Sequence, residues 1–271
     1  AQGKEPVSLG FEHKFDADLD SGGSVSIDRL DVNFALPLVS NDKTFAALTF
    51  SHSVDDFDFG PAFNPWSKIR TTSIALPMTR KLKKSWTWSS MTRLGSSAEQ
   101  GANRGGSYNW SHVSTFDHHM TDDLTIGAGL SIVSKLEDDA SIIPVISIDW
   151  QINDKWSFHT LPSEGVSSGV HAAFKYEQSD EWSYTTGFVY SSKRFRLSET
   201  STAAADGVGE ESYAALYGVA KYQPSKNLSI SFIAGYSFGN EFSVYDTVGN
   251  DVAESDSDAT PFAGLRVNYE F

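Results

Sequence analysis

The chain contains no cysteine, which excludes disulfides and thiolate metal sites. Basic residues are scarce: 21 Lys and Arg stand against 35 Asp and Glu, a formal charge of -14. Nucleic-acid binding is built on the opposite balance, so no nucleic-acid partner is expected. Long apolar runs are also missing. The longest, Ile142–Ile148, is broken by Pro144 and falls far short of the ~18–20 residues of a membrane-crossing helix. Helical periodicity is sparse throughout. These absences remove the helical membrane class and leave membrane barrels standing, because their strands alternate polar and apolar residues and escape a hydropathy window. The opening Ala1-Gln-Gly-Lys4 lacks a signal-peptide core, as expected of a secreted chain whose leader is gone or of a trimmed one.

What is abundant is strand periodicity, interrupted by clusters of Asn, Asp, Gly, Lys and Pro. One set of interruptions is tight: Ser40–Lys43, Arg80–Lys84, Thr121–Asp123, Asn153–Lys155, Glu177–Asp180 and Gln223–Lys226. The other is more variable and often longer: Leu19–Gly23, Gly60–Ser67, Ser96–Gly105, Lys135–Ala140, Pro162–Gly165, Leu197–Val208 and Val244–Asp258. The two sets alternate along the chain, the pattern of an up-and-down meander with turns at one end and loops at the other. They delimit fourteen strands, over 6–18, 24–39, 44–59, 68–79, 85–95, 106–119, 124–134, 141–152, 155–161, 166–176, 182–196, 209–222, 227–243 and 259–271. Segment 155–161 is the weakest; if it and a neighbour are loop, the count is twelve.

Several strands carry one apolar face. Val32, Phe34, Leu36 and Leu38 alternate with Asp31, Asn33, Ala35 and Pro37, and Leu124, Ile126, Ala128, Leu130 and Ile132 with Thr125, Gly127, Gly129 and Ser131. The second face is small and polar, which suits a wet lumen better than the charged exterior of a soluble sandwich. The parity of the apolar residues switches near Asp28–Arg29, where a bulge is expected. Aromatic residues sort by height. Trp86, Trp150, Trp156, Tyr176, Trp182, Tyr269 and Phe271 flank the tight turns; Phe57, Phe59, Tyr108, Trp110, Tyr190, Tyr213, Tyr236 and Phe238 stand near the longer loops. The expectation is an all-β fold: one antiparallel transmembrane β-barrel domain over residues 1–271.

The meander and the ending "LRVNYEF" resemble bacterial outer-membrane β-barrel proteins. In that group an alternating terminus with a final aromatic, here Leu265, Val267, Tyr269 and Phe271, looks like the signal read by the barrel-assembly machinery. In length and strand number the chain is similar to small monomeric porins. The resemblance implies an outer-membrane location among lipid and lipopolysaccharide, periplasmic tight turns and surface-exposed longer loops.

About eight strands give an interior that side chains can fill and sixteen or so leave an aqueous channel, so fourteen lie between. The default function is a channel for passive diffusion of small polar or charged solutes. Candidate pore-lining residues are Glu12, Lys14, Arg70, Arg93, Asp149, Lys175, Arg194, Arg196 and Arg266. Their basic excess favours anions if they face the bore, although rim positions and cross-strand pairs are the simpler reading. Acidic residues crowd the longer loops, where carboxylates could hold divalent cations or could be ordinary solvated charge. The alternative is a non-conducting receptor or structural partner of an envelope protein. Catalysis is not expected. Ser51 and His52 are adjacent and point apart; His112 and Ser114 share a face but lie about 7 Å apart along a strand. An outer-membrane lipid hydrolase is less expected still, since "SHVSTF" departs from the Ser-His-x-Ser-Asn-Gly nucleophile motif. No cofactor or metal site is called for: His118 and His119 point apart too.

Overall fold

The computed structural model describes residues 7–83, 85–160 and 169–271. Residues 6, 161 and 166–168 of the expected strands, the Pro162–Gly165 loop and Lys84 lie outside them. The strands are β1 Val7–Asp18, β2 Ser24–Ser40, β3 Thr44–Phe59, β4 Lys68–Lys81, β5 Trp86–Glu99, β6 Tyr108–His119, β7 Leu124–Lys135 and β8 Asp138–Gln151. They continue with β9 Trp156–His159, β10 Val170–Glu177, β11 Trp182–Arg196, β12 Val208–Ser225, β13 Leu228–Tyr245, β14 Asp251–Ser257 and β15 Thr260–Tyr269.

Each strand from β1 to β13 pairs antiparallel with the next, and β15 pairs with both β13 and β1. Leu9 faces Val267 and Phe11 faces Leu265 across the closing seam. Fourteen strands therefore form a closed antiparallel barrel, the arrangement that leaves no unpaired edge to a hydrocarbon solvent. The fifteenth, β14, folds back on β13 beyond the barrel, with Glu241 opposite Asp256. It lies within what the sequence predicts as the Val244–Asp258 loop. Charge density hides it, because Asp251, Glu254, Asp256 and Asp258 read as solvated loop.

Tight turns follow local side-chain chemistry. Asn41 Oδ1 accepts from the amides of Lys43 (3.0 Å) and Thr44 (2.9 Å), and Asn153 Oδ1 does the same for Lys155 and Trp156, both at 3.0 Å. The interruption at Lys135–Ala140 is shorter than predicted: β7 turns into β8 over Leu136 and Glu137, the latter at φ 58°.

The apolar faces point outward. Leu30, Val32, Phe34, Leu130, Leu216, Phe232 and Leu265 are all exposed on the barrel exterior. The turn-end aromatic belt is present there, with Trp156 against Tyr176 and Trp182 against Tyr222, ring centroids 4.8 Å apart in both pairs. At the loop end the belt is thinner than expected: Tyr108, Trp110, Tyr190, Tyr236 and Phe238 face out, whereas Phe57, Phe59 and Tyr213 are buried inside. No bulge falls at Asp28–Arg29 itself: β2 runs against β3 without a register shift from Val25 to Pro37, and the irregularity nearby lies on β1, between Lys14 and Ala17, opposite Val25–Ile27. The parity switches because Val25 and Ile27 point inward into a core that fills the loop end, while Leu30 onward point out.

Candidate functional site: a septum across the bore

At the loop end the inward residues stop being small. Ala17 of β1 and Leu19 just after it, Val25 and Ile27 of β2, Phe57 and Phe59 of β3, and Ile69 of β4 meet Phe195 of β11, Leu197 just beyond it, and Phe242 and Val244 of β13. Trp66, from the β3–β4 loop, drops among them, with ring centroids 4.9 Å from Phe195 and 5.5 Å from Phe59. These side chains come from both sides of the barrel and are buried as completely as a soluble core.

A second closure reinforces the layer. Arg196 of β11 pairs in parallel with Ala98 of β5, six strands away around the ring. At this height β11, β12, β13, β15 and β1 to β5 close a smaller ring, and β6 to β10 lie outside it. Arg196 staples the junction, donating to the carbonyls of Gly106 (2.7 Å) and Asp206 (2.7 Å) and pairing with Glu137. Arg194 does the same one step lower, with Glu210 at 2.6 Å and the Leu136 carbonyl at 3.4 Å.

Directly beneath the apolar layer is a charged one. Arg29 of β2 donates to both carboxylate oxygens of Glu211 on β12 at 2.5 Å and to the Tyr213 hydroxyl at 3.1 Å. Lys14 of β1 reaches Glu211 at 3.4 Å and Asn240 at 3.3 Å, and sits 3.9 Å from the Tyr213 ring centroid. Lys193 of β11 pairs with Asp55 of β3, which lies six strands away by one path and eight by the other. Lys14 and Glu211 are 3% and 2% exposed, so these charges carry no water shell and depend on one another. Two layers, apolar above and ionic below, fill this smaller ring.

Below the septum the inward residues are mostly Ser, Thr, Asn and Gly, and an open pocket of about 290 Å³ lies beside Ser8, Asn33, Phe34, Ala35, Thr49, Ser51 and Arg266. Arg266 of β15 crosses over Gly10 of β1 to reach Asp31 of β2 at 2.8 Å, and also donates to Ser8 at 2.9 Å. A Cβ at Gly10 would stand 2.4 Å from the Asp31 carboxylate, so only glycine lets the two side chains meet there. The β10–β15 wall is thickened by Val189, Tyr217, Val219, Ile233 and Phe262. Open space remains along β5 to β8, where inward-pointing Met91 and Ile143 are 40% and 42% exposed.

The nine charged residues singled out from the sequence separate into three groups. Glu12 and Lys14 belong to the ionic layer, Glu12 standing 3.4 Å from Arg29. Arg93, Asp149, Lys175 and Arg266 face the bore below it; Arg93 has no ion-pair partner among the described residues. Arg70, Arg194 and Arg196 share the outward side of their strands at the loop end, Arg70 3.3 Å from Gln100. Sequence reading missed Arg29, Asp55, Lys193 and Glu211. The available signal was the same parity switch: once Ile27 is inward, Arg29 is too, and Phe57 fixes Asp55.

Residues 62–269 match the family described as a domain of unknown function, DUF6268. The chain belongs to the DUF6268 family. No curated protein matches it in sequence. Among solved structures it is similar to the COG4313 outer membrane channel from Pseudomonas putida F1, with a TM-score of 0.57 and 9% identity over 98% of this chain and 94% of that one. The deltaS2 mutant of the TodX monoaromatic hydrocarbon channel gives a TM-score of 0.52 and 9% identity, covering 98% and 89% of the two chains. At such identity the DUF6268 barrel shares with these channels its fold.

Proposed function

We propose that the protein is a bacterial outer-membrane channel for small polar or charged solutes, with tight turns in the periplasm and the septum closing its outer end. The observation that carries this reading is the contrast across one wall: apolar residues outside, and small polar residues with unneutralised Arg93 inside. The fold shared with outer-membrane channels supports it. Solute flow through the smaller ring requires the septum to part, since buried pairs such as Lys14–Glu211 leave no hydrated path between them. Below it Arg266 is paired with Asp31 and Lys175 with Glu177, which leaves Arg93 as the bore-facing cation that favours anions. Leu265, Val267, Tyr269 and Phe271 form the proposed assembly signal, and lipopolysaccharide surrounds the loop end. Conductance in planar bilayers tests the proposal: discrete ohmic events support it. The septum itself favours a second reading, a non-conducting receptor or partner of an envelope protein. That reading gains if variants with a dismantled septum stay electrically silent.

A further inference from the structure

Histidine–hydroxyl pairs recur in this barrel. His52 bonds Thr72 at 2.9 Å, His112 bonds Thr92 at 2.9 Å, and His119 bonds both Thr87 (3.0 Å) and Thr125 (2.8 Å). His159 differs from all of them. Its Nε2 stands 2.8 Å from Ser157 Oγ and its Nδ1 3.1 Å from Asp149 Oδ1. Among the described residues no second histidine lies between a hydroxyl and a carboxylate. The alternation of β9 makes this possible: Ser157 and His159 share the inward side, and Asp149 on β8 is directly opposite His159. The spacing of about 7 Å between Cα atoms, which speaks against His112 and Ser114 in the sequence, is bridged here by the imidazole, as the 2.8 Å contact shows.

In the neutral imidazole whose proton sits on Nδ1, the nitrogen facing the Asp149 carboxylate, Nε2 accepts from the serine hydroxyl. That is the state of a general base beside a nucleophile, oriented by an acid. Lys175 stands directly opposite Ser157 on β10, its ammonium paired with Glu177 at 3.3 Å.

We propose that Ser157, His159 and Asp149 form a nucleophilic site that hydrolyses small esters entering the bore from the turn end. Ser157 Oγ attacks the carbonyl carbon while its proton passes to His159 Nε2. His159 returns that proton to the departing alkoxide as the ester C–O bond breaks, leaving an acyl-serine. Water then adds by the same route, releasing the carboxylic acid and restoring the Ser157 hydroxyl. Asp149 remains ionised throughout. Ser157 is only 6% exposed, whereas the Asp149 side chain is 72% exposed, so a substrate must be small and approach the serine from the Asp149 side. This activity is separate from the channel reading and does not rest on it.

The test treats the folded barrel in detergent with diisopropyl fluorophosphate and follows its intact mass, with p-nitrophenyl acetate hydrolysis read in parallel. Heat-shifted gel mobility confirms that each variant is folded. The site predicts one adduct, mapped to Ser157, and none in Ser157→Ala. His159→Gln should slow labelling and turnover by about 100-fold or more, and Asp149→Asn by about 10-fold. An unlabelled wild type, an adduct on another residue, or equal rates in His159→Gln would each overturn the proposal. Conductance recorded on the same samples reports on the channel separately.

Discussion

At the scale of single residues, close approach and charge burial govern what can change. Gly129 of β7 lies so near β6 that a Cβ would stand 1.9 Å from the Ser114 carbonyl oxygen and 2.7 Å from Thr115 Cα, both backbone atoms that cannot swing aside. At Gly218 of β12 the nearest atoms are 3.8 Å and 4.0 Å away. Gly129→Ala should therefore lower unfolding stability by about 1–3 kcal/mol, with Gly218→Ala nearly neutral, in urea titrations of the refolded barrel. Equal effects would contradict the β6–β7 packing. Arg93 offers a functional counterpart. Replacing it with Gln removes a bore-facing cation without a neighbouring acid, so the reversal potential in a salt gradient should move toward cation preference. An unchanged potential would take Arg93 out of the conduction path.

Among the elements, the β13–β14 hairpin stands beyond the barrel and has its own pH dependence. Glu241, chiefly, and then burial, Asp256 and Asp251 push the Glu254 carboxyl above its ordinary value of 4.5. Its folded pKa being raised, the hairpin loses stability as pH rises through that value. Asp246, in the turn, is held below its ordinary 3.8 by hydrogen bonds from Asn250 and the amides of Val248 and Gly249. That contribution is present above 3.8 and is lost as pH falls through the depressed value. Protection of the β14 amides, corrected for intrinsic exchange, should peak between the two transitions and fall on either side. Monotonic behaviour would contradict the opposed pair. Strand positions were largely legible in the sequence because outward faces alternate strictly, as from Leu124 to Ile132. β14 was not, since its acidic residues look solvated whether paired or free. The septum was legible only as an anomaly: Ile27 followed by Leu30 reads as a slipped strand unless something apolar already fills the bore. No pattern in one strand reveals that Phe195 and Phe242 arrive from across the ring.

For the whole molecule, strand number sets a bore that side chains can half fill, and the chain fills it unevenly. Aromatic and aliphatic residues pack the loop end, ion pairs lie beneath, and a lumen lined mostly by small polar residues continues toward the turns. Glu211 is the keystone of the ionic layer, facing both Arg29 and Lys14. Removing one partner of a buried pair typically costs about 3–5 kcal/mol and leaves the opposing charges without compensation. The layer should then admit water and part. The most direct measurement is single-channel current through wild type and the Glu211→Ala, Phe57→Ala double variant in planar bilayers. Wild type should conduct in brief, infrequent steps, and the variant in larger, long-lived ones. Identical traces from the two proteins, or silence from both, would contradict a septum that gates a channel.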